Sequence, residues 1–176
     1  SSAMIIDCRA NSNITGKEYA GGFCGVNYSV GYPAQTKIIN SNCTSSITGD
    51  NYIGGFCGWN FAEIDSAIIT ESYAEVNVSG KEYIGGFCGW NLAEKDSSVA
   101  LIDKCTVSGN VFGKKYSGGF CGWNSGLLDY AAAEINNSSS SCLVEGEKTY
   151  TGGFCGYNYA EKNYSKGIIR DSHAKG

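Results

Sequence analysis

The chain has 176 residues, 42% of them hydrophobic and 17% charged, with a net charge of −4. That length can bury one core. The absence of a basic cluster argues against nucleic acid and anionic membrane surfaces as partners, and no apolar run approaches the roughly 18 residues that a spanning helix needs. Ser1-Ser2-Ala3 has no signal-peptide character, so we expect any such leader to have been removed or to lie outside this chain.

Taken in order, the chain repeats itself. Ile5-Ile6-Asp7-Cys8 leads through a polar turn at Gly16 to Tyr19 and Gly-Gly-Phe-Cys-Gly. A longer insert with Gly31 and Pro33 follows, and then Ile38-Ile39, Cys43, Ile47 and Gly49 return. The third unit has Ile68-Ile69, Tyr73, Val76, Val78 and Gly80. The fourth has Leu101-Ile102, Cys105, Val107, Val111 and Gly113. The fifth carries a polar run before Cys142 and Gly146. Ile168-Ile169 and Ser172-His173-Ala174 open a sixth unit that is not completed. The motif Tyr-x-Gly-Gly-Phe-Cys-Gly-x-Asn closes each of the five units, at 19–27, 52–60, 83–91, 116–124 and 150–158.

A period of about 33 residues denotes one supersecondary unit used several times. β-Branched and aromatic residues alternate with turn formers, which predicts strands and no helix. Each unit reads as three short strands: the Ile-Ile segment, the Val-x-Val/Ile segment, and the Gly-Gly-Phe-Cys-Gly motif itself. A propeller blade needs more residues, so we expect an all-β solenoid, a single array over 1–176 with five coils and a partial sixth. Stacked coils sit about 4.8 Å apart, placing each residue on its own copy. Paired glycines before Phe suit close backbone approach or positive φ, and the recurrent Asn suits a turn-lining amide bonded to its copy.

The combination Gly-Gly-Phe-Cys-Gly-x-Asn, Ile-x-x-Cys and Val-x-Gly, with Ser72-Tyr73-Ala74 and Ser172-His173-Ala174, resembles the GLUG motif of secreted repeat proteins. The departures are Phe for Leu and a cysteine in the central strand. The resemblance covers nearly the whole chain. It implies an extracellular repeat array of the kind found in surface and adhesin-like proteins, and it does not imply an enzyme.

Nine cysteines without a metal-type spacing suggest an oxidising compartment. Pairing each upstream cysteine with the next motif cysteine gives Cys8–Cys24, Cys43–Cys57, Cys105–Cys121 and Cys142–Cys155, with Cys88 as a free thiol. The competing readings are a column of buried thiols acting as small hydrophobes and, more remotely, a metal site. The lone histidine, His173, stands where other units carry cysteine or tyrosine, and a cysteine nucleophile needs a base and an orienting group. No phosphate-loop Lys-Ser/Thr follows the glycines.

Three further features are candidates. Sequons at Asn13, Asn27, Asn42, Asn77, Asn136, Asn137 and Asn163 predict exposed turns in a glycosylating host. Glu63, Asp65, Glu94, Asp96 and Glu161 recur after the motif; stacked, they would repel unless the loops splay or a cation such as Ca²⁺ screens them. Val26, Trp59, Trp90, Trp123 and Tyr157 share one motif position. Outside, this row is a strip for sugar rings or a neighbouring chain. Alternation puts it on the motif cysteine's face, and hence inside, unless Gly breaks the alternation.

The expected function is structural: a segment of an extracellular fibre, filament or adhesin. Its partners would be copies of itself stacked end to end, or further repeats of a longer chain, since neither end shows the polar cap that solenoids need. The alternative is a carbohydrate-binding module using the aromatic row. An ice-binding surface is a weaker reading, because no Thr-x-Thr ladder is present.

Overall fold

The computed structural model describes residues 2–176 and contains three parallel sheets without a helix. The first sheet carries the Ile-Ile segments, in strands Ser2–Ile6, Gln35–Ile39, Ser66–Thr70, Val99–Asp103, Ala132–Asn136 and Lys166–Arg170. The second holds Arg9–Thr15, Asn42–Thr48 with Asn51–Gly54, Tyr73–Gly85, Thr106–Gly118, Ser139–Gly152 and His173–Ala174. The third holds Cys24–Ser29, Cys57–Ala62, Cys88–Ala93, Cys121–Gly126 and Cys155–Ala160. Each sheet is ordered by coil, with every strand paired to its copies in the coils before and after. This is a β-solenoid of about five turns, as the period predicts.

The motif is not one strand. Its Tyr-x-Gly ends the second sheet, Gly-Phe turns the corner, and Cys-Gly-x-Asn begins the third. The glycines are there for space. A Cβ on Gly55 would collide with the Gly86 carbonyl of the next coil, and one on Gly85 with the Cys88 carbonyl. Positive φ falls instead on Tyr19, Tyr52, Tyr83, Tyr116 and Tyr150, at 53 to 61°. The other corners repeat the device with Asp7, Asn40, Glu71, Lys104, Asn137 and Asp171 between first and second sheets, and with Asp65, Ser97, Tyr130 and Tyr164 between third and first. A side chain in this region costs about 1–2 kcal/mol, so stacking must hold each corner in place.

The Ile pairs are not all equivalent. Ile38 is in register with Ile5 on one side and with Ile69, Ile102, Ile135 and Ile169 on the other, so the first residue of the two earliest pairs matches the second of the later ones. That column points inward. It packs with the stacked rings of Phe23, Phe56, Phe87, Phe120 and Phe154, whose centroids are 4.7 to 4.9 Å apart. A second, small-residue core of Ala62, Ala67, Ala93, Ala100, Ala131 and Ala133 closes the space beside the third sheet.

The motif asparagines form a buried ladder rather than a turn lining. Nδ2 of Asn27, Asn60, Asn91 and Asn124 donates to Oδ1 of the next copy at 2.7 to 2.8 Å. The same nitrogens reach across to the first sheet, Asn91 to the Ala100 carbonyl at 3.0 Å and Asn124 to that of Ala133 at 3.1 Å. Each amide thus ties coil to coil and sheet to sheet. Asn91→Leu should lower stability by about 2–4 kcal/mol, since it strands the Asn60 amide and two acceptors in a dry interior. Chemical denaturation would check this, and a loss no larger than for Asn77→Leu on the exposed face would contradict it.

Candidate functional site

Strand alternation fails at the third motif glycine. Cys57, Cys88 and Cys121 lie in the main core and Asn60, Asn91 and Asn124 are also buried, so the Trp between each pair points outward. Gly58, Gly89 and Gly122 are the residues that absorb the break, and they are missing from the pairing register. The aromatic row is therefore external. It is half-buried because the motif tyrosines interleave with it: Tyr19 on Trp59 at 5.0 Å, Tyr52 on Trp90 at 5.3 Å, Tyr83 on Trp123 at 5.2 Å. Tyr19, Tyr52, Tyr83, Tyr116 and Tyr150 stack on one another at 4.7 to 4.9 Å.

Along most of this strip the ring planes lie within 26° of parallel, so each ring's faces are taken up by its neighbours. A flat platform for sugar rings is not what remains exposed. The last rung departs from the pattern. Tyr157 stands at 86° to Trp123 and 63° to Tyr116, and Tyr159 at 73° to Trp123. These rings, with Trp90, Leu127 and Glu161, enclose an open groove of about 480 Å³. Lys115 Nζ already lies 4.7 Å from the Tyr116 ring centroid. Elsewhere, shallow polar grooves run over the outer face of the second sheet around Ser46, Asn77 and Asn110.

All nine cysteines are free thiols, which corrects the paired scheme. The upstream cysteines belong to three different columns. Cys8 and Cys105 stand where Ser41, Ser72, Ser138 and Ser172 stand in other coils. In this column a serine Oγ donates to the carbonyl two residues back and accepts a backbone N–H from the coil before: Ser138 to Asn136 at 2.7 Å, and from Cys105 at 3.2 Å. The thiols of Cys8 and Cys105 copy the donation, to Ile6 and Asp103, each at 3.2 Å. Cys43 shares a column with Ala10 and Ala74, and Cys142 one with Val76 and Ser45. Unit three thus lacks no partner; Ser72 fills the Cys105 slot. His173 is in register with Tyr73, Thr106 and Ser139, not with a cysteine column.

The motif cysteines Cys24, Cys57, Cys88, Cys121 and Cys155 form one continuous thiol ladder. Each Sγ donates to the carbonyl two residues on, as Cys88 does to Trp90 at 3.2 Å. Burial pushes Cys57 and Cys121 well up, and pushes Cys43 and Cys105 up to about 12.

The acidic residues do not form one column. Glu63, Glu94, Leu127 and Glu161 follow one another by coil, whereas Asp65, one residue before the Ser66–Val99 pair, falls opposite Ser98 rather than Asp96. The Lys95 ammonium bonds Glu63, and the Tyr28 hydroxyl donates to it as well; these bonds hold the Glu63 carboxyl below its ordinary range. Among the described residues no group of three or more His, Cys, Asp or Glu side chains is placed to hold a metal ion. Of the sequons, Asn13, Asn77, Asn137 and Asn163 are exposed and Asn42 and Asn136 half-buried, on strands and at corners. Asn27 is 7% exposed and committed to the asparagine ladder, so a glycan there is incompatible with this fold.

No family model, curated protein or solved structure matches the chain.

Two outcomes follow for the thiols. In the native state a small alkylating reagent should label Cys8 first, Cys24 and Cys155 more slowly, and the six buried thiols only on unfolding. Peptide mass mapping reads this directly, and intra-unit bridges would contradict it. Stability should also fall in alkali. The unfolded chain gives up a thiol proton near the ordinary value of 9.0, while Cys43 and Cys105 keep theirs to about 12. Their contribution is complete below pH 9 and is lost above it, by about 1.4 kcal/mol per thiol per pH unit. Melts at rising pH should show that slope reduced in a Cys43→Ala, Cys105→Ser double variant.

Proposed function

We propose that this chain is a structural segment of an extracellular fibre, filament or adhesin, and that its outermost coils stack on further coils of the same kind, those of a second copy or further repeats of a longer chain. One observation carries the reading. The ladders run unbroken through the molecule and are still unpaired at both outer faces. Ile14, Phe23 and Cys24 at one face, and Val144, Phe154, Cys155 and Ile169 at the other, are only partly buried, although their copies between are closed. Met4 and Ile6 are 58% and 45% exposed. Unpaired parallel edges with matching columns are templates for strand addition, and a heterologous contact that repeats without closing gives a filament.

The cysteines no longer argue for an oxidising compartment, since burial accounts for most of them. The extracellular assignment rests on the exposed sequons and on the resemblance to secreted GLUG-motif repeats. A non-catalytic role fits a chain whose single histidine is exposed at a strand end. Screening of Glu63 by Lys95 removes the motive for Ca²⁺ at that rung.

Sedimentation velocity over about 1 to 100 μM tests the assembly, a range spanning weak to moderate self-association. End-to-end oligomers should grow with concentration and disappear in Ile14→Lys and Ile169→Lys variants, which place a charge on each outer face. A monomer throughout, or oligomers indifferent to both changes, would overturn the proposal.

A further inference from the structure

The stacked strip and its last rung make different surfaces. Where rings lie parallel, they saturate one another. At Tyr157 and Tyr159, which lie within 22° of one another, the rings turn, and this pair stands at 63 to 86° to the Trp123 and Tyr116 rings on the other side of the groove. Such convergent walls do not suit a flat pyranose, which needs one open face and several polar partners. They suit a compact, rounded cation. The negative faces of Trp and Tyr attract a cation within about 6 Å of the ring centroid, and cages of such rings are how quaternary ammonium groups are held.

The charge agrees. The one carboxylate lining this groove is that of Glu161, and the chain is acidic overall. The neighbouring Tyr116 ring already takes an ammonium on the Lys115 side. We propose that the groove of Trp123, Tyr157, Tyr159 and Glu161 is a binding site for a quaternary or methylated ammonium group, a choline-type headgroup being the simplest case. The rings supply the cation–π walls, and Glu161 neutralises the bound charge at the rim. This goes beyond the structural role and does not depend on self-assembly.

Trp90 and Trp123 line the groove, so intrinsic fluorescence reports its occupancy. The folded chain is titrated with choline, with tetramethylammonium, and with the neutral choline isostere in which tert-butyl replaces trimethylammonium. Both cations should give a saturable change, and the neutral isostere should bind at least about tenfold more weakly. Glu161→Gln should weaken choline binding about threefold to tenfold, and Tyr157→Ala should abolish it. Far-UV circular dichroism establishes that Tyr157→Ala has kept its fold. If it has not, Glu161→Gln, a change at an exposed side chain, decides alone. No saturable response to either cation overturns the proposal. So does equal response to the neutral isostere, or choline binding unchanged in the variants. A response to neutral saccharides that choline does not compete away would also overturn it, in favour of a glycan site.

Discussion

Everything in this molecule depends on the requirement that each side chain lie against its own copy. Parallel in-register strands put equivalent residues about 4.8 Å apart, so a residue is acceptable only if it pairs well with itself. Amides do, by donating to one copy and accepting from the other, and the asparagine ladder has this form. Aromatic rings do, by offset stacking, as in the phenylalanine and tyrosine columns. Like charges do not. The low charged fraction of the chain follows, and where two glutamates do become neighbours a lysine pairs with one of them.

The corners are the second consequence. A coil of about 33 residues needs sharp turns, and each turn is made by one residue in the left-handed region, although few of these residues are glycine or asparagine. The strain is held by neighbours. At the first corner a serine hydroxyl satisfies a carbonyl of its own turn and an amide of the coil before, a short polar column equivalent to a helix cap. A thiol performs the donating half of this task, which is why cysteine appears there in two coils. The cysteine count is thus the product of two unrelated demands, a corner donor and a small buried core residue, with no covalent link required.

Period, strand content and the solenoid itself were legible in the residues, because the Gly-Gly-Phe-Cys-Gly motif recurs at nearly constant spacing and nothing competes with a β reading. What was hidden was register. Ile38-Ile39 and Ile68-Ile69 look equivalent, yet their alignment is offset by one residue, and a one-residue slip exchanges inside for outside. The same problem made Cys8, Cys43, Cys105 and Cys142 look like one set when they occupy three columns. The Trp row was ambiguous for a different reason. Strict alternation carries it inward with the cysteine, but a glycine adjoining the cysteine absorbs a half-step, and the row comes out on the surface. Glycine was the available signal, since a residue without Cβ is where alternation can break.

The aromatic groove lies beyond any of these signals, because it arises where self-pairing stops. Tyr157 takes the position that tryptophan holds in the three preceding coils, and with that change the ring turns from parallel to nearly perpendicular. In a solenoid whose columns satisfy themselves, the repeated residues are scaffold, and their faces are withdrawn from solvent by their own copies. Between its two outer faces, a column presents a surface to another molecule where a substitution interrupts it. The departures from the motif, rather than the motif, are therefore where chemistry directed at another molecule is to be sought. The last rung, with its turned rings and a single carboxylate, is the departure in this chain that brings aromatic faces and a charge together.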